Sequence, residues 1–117
     1  MNIDPFFVII HIIIGLLAGN AAYVQRRAPN NVASYPLWVF SSWGSMALSY
    51  TVFSTIAAII TTLFNYNFAY AGLTVIEIIF GAFLVGFLPM RIKLILALIG
   101  PLITTIILCN LWGFWYL

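Results

Sequence analysis

Ionisable side chains are rare in this chain, and their positions limit its possible folds more than any other feature. Six of the 117 residues are acidic or basic, and the four basic ones form two close pairs, Arg26 with Arg27 and Arg91 with Lys93. Long runs between the charges, such as residues 94–108, are almost entirely apolar. A soluble domain of this length could not cover so much apolar surface, whereas the interior of a bilayer solvates it. The sequence therefore predicts an integral membrane protein.

The composition excludes several classes of function. Hydrophobic residues make up 65% of the chain and charged residues 5%, against roughly a quarter charged in soluble domains. The length allows one compact unit, so we expect residues 1–117 to form a single transmembrane helical domain. Four cations at two places do not build the basic face that nucleic acids require. The single Cys109 excludes an intrachain disulfide and a cysteine-based metal site.

Four apolar stretches are long enough to cross a bilayer, for which a helix needs about 20 residues. Turn-forming residues separate them, among them Pro29, the segment 65–67 and Pro89. We therefore expect an all-α integral membrane protein whose four transmembrane helices form two helical hairpins. The predicted helices cover residues 5–23, 37–64, 68–88 and 94–115.

The second stretch is longer than a simple span needs. Its 28 positions (37–64) would reach about 42 Å as one α-helix, against a hydrocarbon core of about 30 Å. Its first half is also rich in serine. Two arrangements fit: a steeply tilted helix, or a helix bent near Gly44 with its first turns in the membrane interface.

The basic pairs predict the orientation of the chain. The positive-inside rule places Arg26, Arg27, Arg91 and Lys93 on the cytoplasmic face. With four crossings, both basic turns share that face, and both termini lie on the non-cytoplasmic side. The location that this pattern predicts is a bacterial-type inner (plasma) membrane.

Glu77 is the residue that most needs an explanation, because it lies near the middle of the third predicted helix. An ionised carboxylate facing lipid there would cost at least about 2.5 kcal/mol. It should therefore face protein, be neutral, or both, with Thr74 and Gly81 on the same helix face. One interpretation is a proton or cation relay. The other, which we favour, is a hydrogen-bonded group that holds helices together.

His11 lies about a turn and a half into the first predicted helix. A histidine that ligates a metal or haem needs partner ligands, and the chain has no second histidine. We therefore expect a hydrogen-bonded interior histidine and no metal site. Both His11 and Glu77 should avoid lipid, which leaves open that they pair with each other.

Small residues mark the surfaces at which helices could approach closely. Gly15 and Gly19 have the spacing of a small-xxx-small motif. On the second helix, serines such as Ser45 and Ser49 recur at four-residue intervals and form a matching stripe. Packing within the chain and association between copies both account for this pattern.

The sequence contains too few combinations of reactive side chains to predict an enzyme. No paired carboxylates, supported Cys–His dyad or glycine-rich phosphate loop occurs, so we expect no catalytic residues and no cofactor. We expect a non-catalytic structural or accessory subunit of a homo-oligomer or larger membrane complex, with the lipid bilayer and itself or other membrane subunits as partners. A small proton or cation channel using Glu77 is the alternative, and a pore-forming lysis protein is a further one. The sequence does not indicate whether the protein binds a small molecule.

Overall fold

The computed structural model describes residues 5–30, 33, 35–65 and 67–113, without the side chains of residues 6, 7, 65 and 110–113. No strand occurs in these residues, so the prediction of an all-helical chain with four long helices is confirmed. Short 3-10 turns lie at 28–30, 37–40 and 85–87. The α-helices are α1 (Pro5–Arg27), α2 (Ser42–Asn65), α3 (Phe68–Leu84) and α4 (Met90–Gly113).

All four helices are long and apolar enough to cross a membrane. Their outward faces carry large apolar side chains, and Phe53, Phe83 and Leu102 are each more than 60% exposed. Water would not tolerate so continuous an apolar surface, but hydrocarbon matches it. The segments that satisfy the length and hydropathy requirements are Val8–Asn30, Ser42–Phe64, Phe68–Phe87 and Met90–Cys109.

The helices form a flattened bundle in which α1 and α2 occupy the centre. Each of these two helices packs against all three others, whereas α3 and α4 share no extended contact. The bundle measures 48 × 26 × 18 Å, as expected when α3 and α4 stand at opposite corners. The predicted first hairpin, α1–α2, is a packed pair. The predicted second hairpin is not, because α3 turns its glycine face toward α1.

The closest approach between helices joins α1 to α3. A methyl group added to Gly15 would meet the backbone of Ile78, with the Cα atom 2.6 Å away. One added to Gly81 would meet the carbonyl oxygen of Ile12 and the backbone nitrogen of Leu16. The two glycines thus let the helix backbones touch without intervening side chains. Gly19 packs in the same way on Ala82 of α3, and not on the serine stripe of α2 as the sequence suggested.

A continuous helix over residues 37–64 does not form, because the chain turns at Ser41 between a 3-10 turn at residues 37–40 and α2. This is closer to the predicted bend near Gly44 than to one long helix. Ser41 has an extended backbone (φ −77°, ψ 159°), and its side chain accepts a hydrogen bond from the Gly44 backbone nitrogen at 2.9 Å. Ser41 is therefore the N-cap of α2, three residues before the expected bend. Gly44 is still required there, because a Cβ atom would collide with the Trp38 carbonyl oxygen.

The helix ends at the two basic pairs also differ from the prediction. α1 continues through Arg27 instead of ending at Tyr23, and α4 begins at Met90 instead of Leu94. The backbone nitrogen of Lys93 donates to the Pro89 carbonyl at 3.0 Å, which closes the first turn of α4. Charged residues are compatible with a helix terminus, so their positions do not mark its boundary. The predicted end of the fourth helix at residue 115 lies outside the described residues.

Candidate functional site: polar contacts inside the bundle

Polar side chains connect every pair of helices that pack extensively. Such contacts follow from burial, because a polar group removed from water needs a partner inside the protein. Five helix pairs pack in this way, and each has at least one polar contact. They are Gln25–Ser49 (α1–α2), His11–Glu77 (α1–α3), the Asn20 side chain with the Lys93 carbonyl (α1–α4), Thr62–Thr74 (α2–α3) and Tyr50–Thr105 (α2–α4).

His11 and Glu77 form the contact between α1 and α3. Their side chains are 0% and 5% exposed, and the His11 Nδ1 atom lies 3.5 Å from Glu77 Oε2. The structure thus brings together the two groups whose pairing the sequence left open. A pair that holds one proton between the imidazole and the carboxyl group is neutral as a whole, whichever group carries it. A neutral pair enclosed by protein avoids the cost of an isolated charge in a low-dielectric interior.

Thr74 connects α3 to α2, one helical turn before Glu77. Its hydroxyl donates to Thr62 Oγ1 at 3.2 Å, and Thr62 in turn donates to the Ala58 carbonyl at 2.9 Å. Both threonines are fully buried. The sequence placed Thr74 on the same helix face as Glu77, and in the structure its hydroxyl bonds to α2. One face of α3 therefore contacts both central helices.

The serine stripe of α2 has a smaller role than the sequence predicted. Ser49 accepts a hydrogen bond of 3.0 Å from Gln25 Nε2 and so contacts α1. Ser45, one turn earlier, is exposed and lines a cleft of about 240 Å³ between the end of α1 and the start of α2. Ser45 is therefore not a packing residue within the chain.

The α2–α4 contact has a defined donor direction. The Thr105 hydroxyl donates to the Pro101 carbonyl at 2.8 Å, so its single proton is already used. Tyr50 must therefore donate in the 2.7 Å contact between the two hydroxyl oxygens. The contact is exposed at the bundle surface, and it gives each hydroxyl a partner where the surroundings are apolar.

Both basic pairs lie at the same end of the bundle, as the topology prediction requires. Lys93 Nζ lies 4.0 Å from the centre of the Tyr23 ring, and Arg27 Cζ lies 5.4 Å from the same centre. Lys93 is only 8% exposed, whereas Arg26 and Arg91 are exposed. Tyr23 is thus shared by one cation from each pair, an arrangement that favours both electrostatically.

Tyr35 lies close to this group. Its side chain is buried, and its hydroxyl oxygen has no hydrogen-bond partner among the described residues. Burial and the neighbouring Tyr23 raise the pKa of the Tyr35 phenol, and Arg27 opposes this rise only in part. The phenol therefore remains protonated at neutral pH and can donate a hydrogen bond.

The described residues offer no candidate metal centre. No group of three or more His, Cys, Asp and Glu side chains converges among them, and Cys109 is exposed. Sequence reasoning missed several residues that form the polar contacts. These residues could have been identified as isolated amide or hydroxyl side chains within apolar helices, and they are Asn20, Gln25, Tyr50, Thr62 and Thr105.

No protein-family model matches this chain, and neither does any curated protein or solved structure.

Proposed function

We propose that the chain is a non-catalytic, multi-pass membrane protein that acts as a structural or accessory subunit of a homo-oligomer or larger membrane complex. The observation that supports this most is the set of five polar contacts. Each joins two packed helices, and the His11–Glu77 pair belongs to the same set. Glu77 thus has the position of a packing residue, in common with Thr74.

The energies of these contacts suit a structural role. An interhelical hydrogen bond in a membrane contributes about 0.6 kcal/mol on average, so the four hydrogen bonds of this set would contribute about 2.4 kcal/mol. This is a sizeable share of the 5–15 kcal/mol that stabilises a typical protein. A transport pathway would instead need polar groups that reach both membrane surfaces, and Glu77 and His11 are enclosed.

The outer corners of the bundle supply the surface for a partner. α3 is the clearest case, because Ile76, Ile79 and Phe83 are exposed on it. Among the described residues, Gly72 of α3 and Gly86 of the following 3-10 turn have no atom of another segment within 4 Å of where a Cβ would stand. Such faces contact lipid in a monomer and provide apolar contact area to another subunit in a complex.

The orientation belongs to the same proposal, with the basic end facing the cytoplasm of a bacterial-type inner (plasma) membrane and both termini on the other side. Single cysteines placed at residues 30 and 92 in a Cys109→Ser background test it. Both should react with a membrane-impermeant maleimide only after the membrane is opened. Labelling of either in intact cells would reject the orientation.

The subunit role is tested by extracting the tagged chain with its surrounding lipid in polymer nanodiscs. Native mass spectrometry should show either stoichiometric foreign subunits or a defined number of copies. An isolated monomer at all membrane concentrations would contradict the proposal. Glu77→Gln should preserve assembly, because the amide keeps the shape and hydrogen-bonding capacity, whereas Glu77→Leu should weaken it by about 0.6–2 kcal/mol.

Proton or cation transport is the second candidate, and one observation favours it. Neither carboxylate oxygen of Glu77 has a hydrogen-bond partner among the described residues, so the carboxyl group retains capacity for a proton or an ion. Buried ionisable groups in membrane helices often belong to such pathways. Proteoliposomes with a pH gradient distinguish the two functions. Flux that disappears in Glu77→Gln, with assembly intact, would establish transport and reject the structural role.

A further inference from the structure

The short segment that precedes α2 has one buried side and one exposed side. Tyr35 and Val39 are each 7% exposed and belong to a core cluster that also contains Val24 of α1. Leu37, by contrast, is 87% exposed, and Phe40 is 41% exposed. The segment therefore docks on the bundle through one side and presents large apolar side chains on the other.

The exposed side of this segment adjoins the outward apolar surface of α2. In the helix, large side chains at intervals of three and four residues lie on one face, and all of them are exposed. They are Trp43, Met46, Tyr50 and Phe53. The 3-10 turn adds Leu37 and Phe40 directly before them, with the same interval of three residues. The exposed apolar surface of the span thus extends past the start of the helix.

The lengths of the elements place the turn at the edge of the hydrocarbon core. The candidate span Ser42–Phe64 has 23 residues and is about 34 Å long as an α-helix, so it fills a core of about 30 Å by itself. The turn precedes it at the end of the bundle that carries Arg26 and Arg91, which are exposed and costly in hydrocarbon. The helical ladder is also interrupted at Ser41, and backbone without helical hydrogen bonds is not tolerated where it faces hydrocarbon.

We propose that the 3-10 turn and the first turn of α2 form an interfacial anchor, in which Leu37, Phe40 and Trp43 insert among the lipid headgroups and the first acyl carbons. The anchor rests on the chain spanning a bilayer, as in the proposed function, but not on its partners or its orientation. Lipid at this depth solvates apolar side chains and still hydrates exposed hydroxyls such as that of Ser42. The Trp43 ring suits the same layer, because its body is apolar and its indole N–H needs a polar partner.

The depths of single tryptophans in the bilayer test the anchor. The full-length chain is reconstituted in phosphatidylcholine vesicles whose acyl chains carry bromine at a shallow or a deep carbon, and quenching gives the distance of each tryptophan from the bilayer centre. Leu37→Trp is compared with Phe53→Trp, each with the 4 native tryptophans replaced by phenylalanine. A third protein retains Trp43 alone and keeps the native turn. Circular dichroism checks that all three remain helical.

The three tryptophans should lie at different depths. Phe53 follows Ser42 by 11 positions (53 − 42), about 16 Å along the helix, so Phe53→Trp should lie near the bilayer centre and be quenched most by the deep bromine. Leu37→Trp should lie about 15–22 Å from the centre, between the edge of the hydrocarbon and the outer limit of the headgroups. It should be quenched more by the shallow bromine than by the deep one, and little by aqueous iodide. Trp43 should lie at about 15 Å.

The outcomes separate the anchor from the membrane span on which it rests. Absence of deep quenching in Phe53→Trp would refute the span, and the anchor with it. Deep quenching of Phe53→Trp, together with iodide quenching of Leu37→Trp as strong as for free tryptophan, would refute the anchor alone. Equal depths for the two tryptophans would place the turn inside the hydrocarbon. Shielding of Leu37→Trp from both iodide and bromine would assign its surface to a protein contact, including one with a second copy of the chain.

Discussion

Replacing Gly81 by alanine tests the close packing of α1 on α3. The new methyl carbon would lie 2.7 Å from the Leu16 nitrogen and 3.1 Å from the Gly15 carbonyl carbon, and closer still to the Ile12 carbonyl oxygen. These are backbone atoms, so they cannot rotate away. Ordinary contact distances of about 3.5–4.0 Å would require the helices to separate by roughly 1 Å.

The separation has two energetic consequences. Overpacking costs about 1–3 kcal/mol. The same movement would lengthen the 3.5 Å contact between His11 and Glu77 and so weaken it, by about 0.6 kcal/mol if it resembles other interhelical contacts. Alanine returns up to about 1 kcal/mol through its better helix propensity. We therefore expect Gly81→Ala to lower the free energy of unfolding by about 1–2.5 kcal/mol.

Gly72 provides the matched control, because it lies in the same helix and no other segment of the described chain comes within 4 Å of its Cβ position. Gly72→Ala should be neutral or stabilising by up to about 1 kcal/mol. The assay is equilibrium unfolding in mixed micelles, followed by circular dichroism. Gly15→Ala combined with Gly81→Ala should cost less than the sum of the two, since one separation makes room for both methyl groups. Equal stability of Gly81→Ala and Gly72→Ala would refute the close packing.

Two further predictions concern the basic end. Ser41→Ala should lower the free energy of unfolding by about 1 kcal/mol in the same assay, because it removes the N-cap of α2. Ser42→Ala, at an exposed first-turn position, is the control and should stay within about 0.5 kcal/mol of wild type. Similar losses in the two variants would contradict the role of Ser41 as the cap. For Tyr35 the pKa in the folded chain lies above the usual 10.0, so its contribution to stability is present below pH 10 and is lost as the pH rises above that value. Tyr35→Phe should reduce this alkaline loss, and an unchanged slope of stability against pH would show that the phenol does not titrate in this way.

The number of helices and the position of the charges could be predicted from the sequence because both follow from solvation. An apolar run of span length has few alternatives to a helix, and Arg and Lys favour the ends of such runs, although Lys93 at its helix end is itself buried. The burial of Glu77 follows from the same cost. The sequence left open whether Glu77 pairs with His11, because the relative depths of the two side chains in the bundle depend on how α1 and α3 cross.

The choice of partner helix could not be predicted from the sequence. The spacing of Gly15 and Gly19 predicts that another helix packs closely on this face of α1, but any helix with a face of small residues would fit there. The serines of α2 form such a face, yet it is α3 that packs against the two glycines. Helix boundaries were also missed at Ser41 and Met90, since hydropathy varies smoothly across a cap whereas hydrogen bonds do not.

The contact between α1 and α3 joins two helices that are synthesised at different times. Glu77 follows His11 by 66 positions (77 − 11), which a ribosome adding about 5–20 residues per second covers in roughly 3–13 s. The carboxyl group thus leaves the ribosome seconds after the helix that receives it. A chain stalled before residue 77 would leave Gly15 and Gly19 of α1 without the α3 residues Ile78 and Ala82 that pack on them.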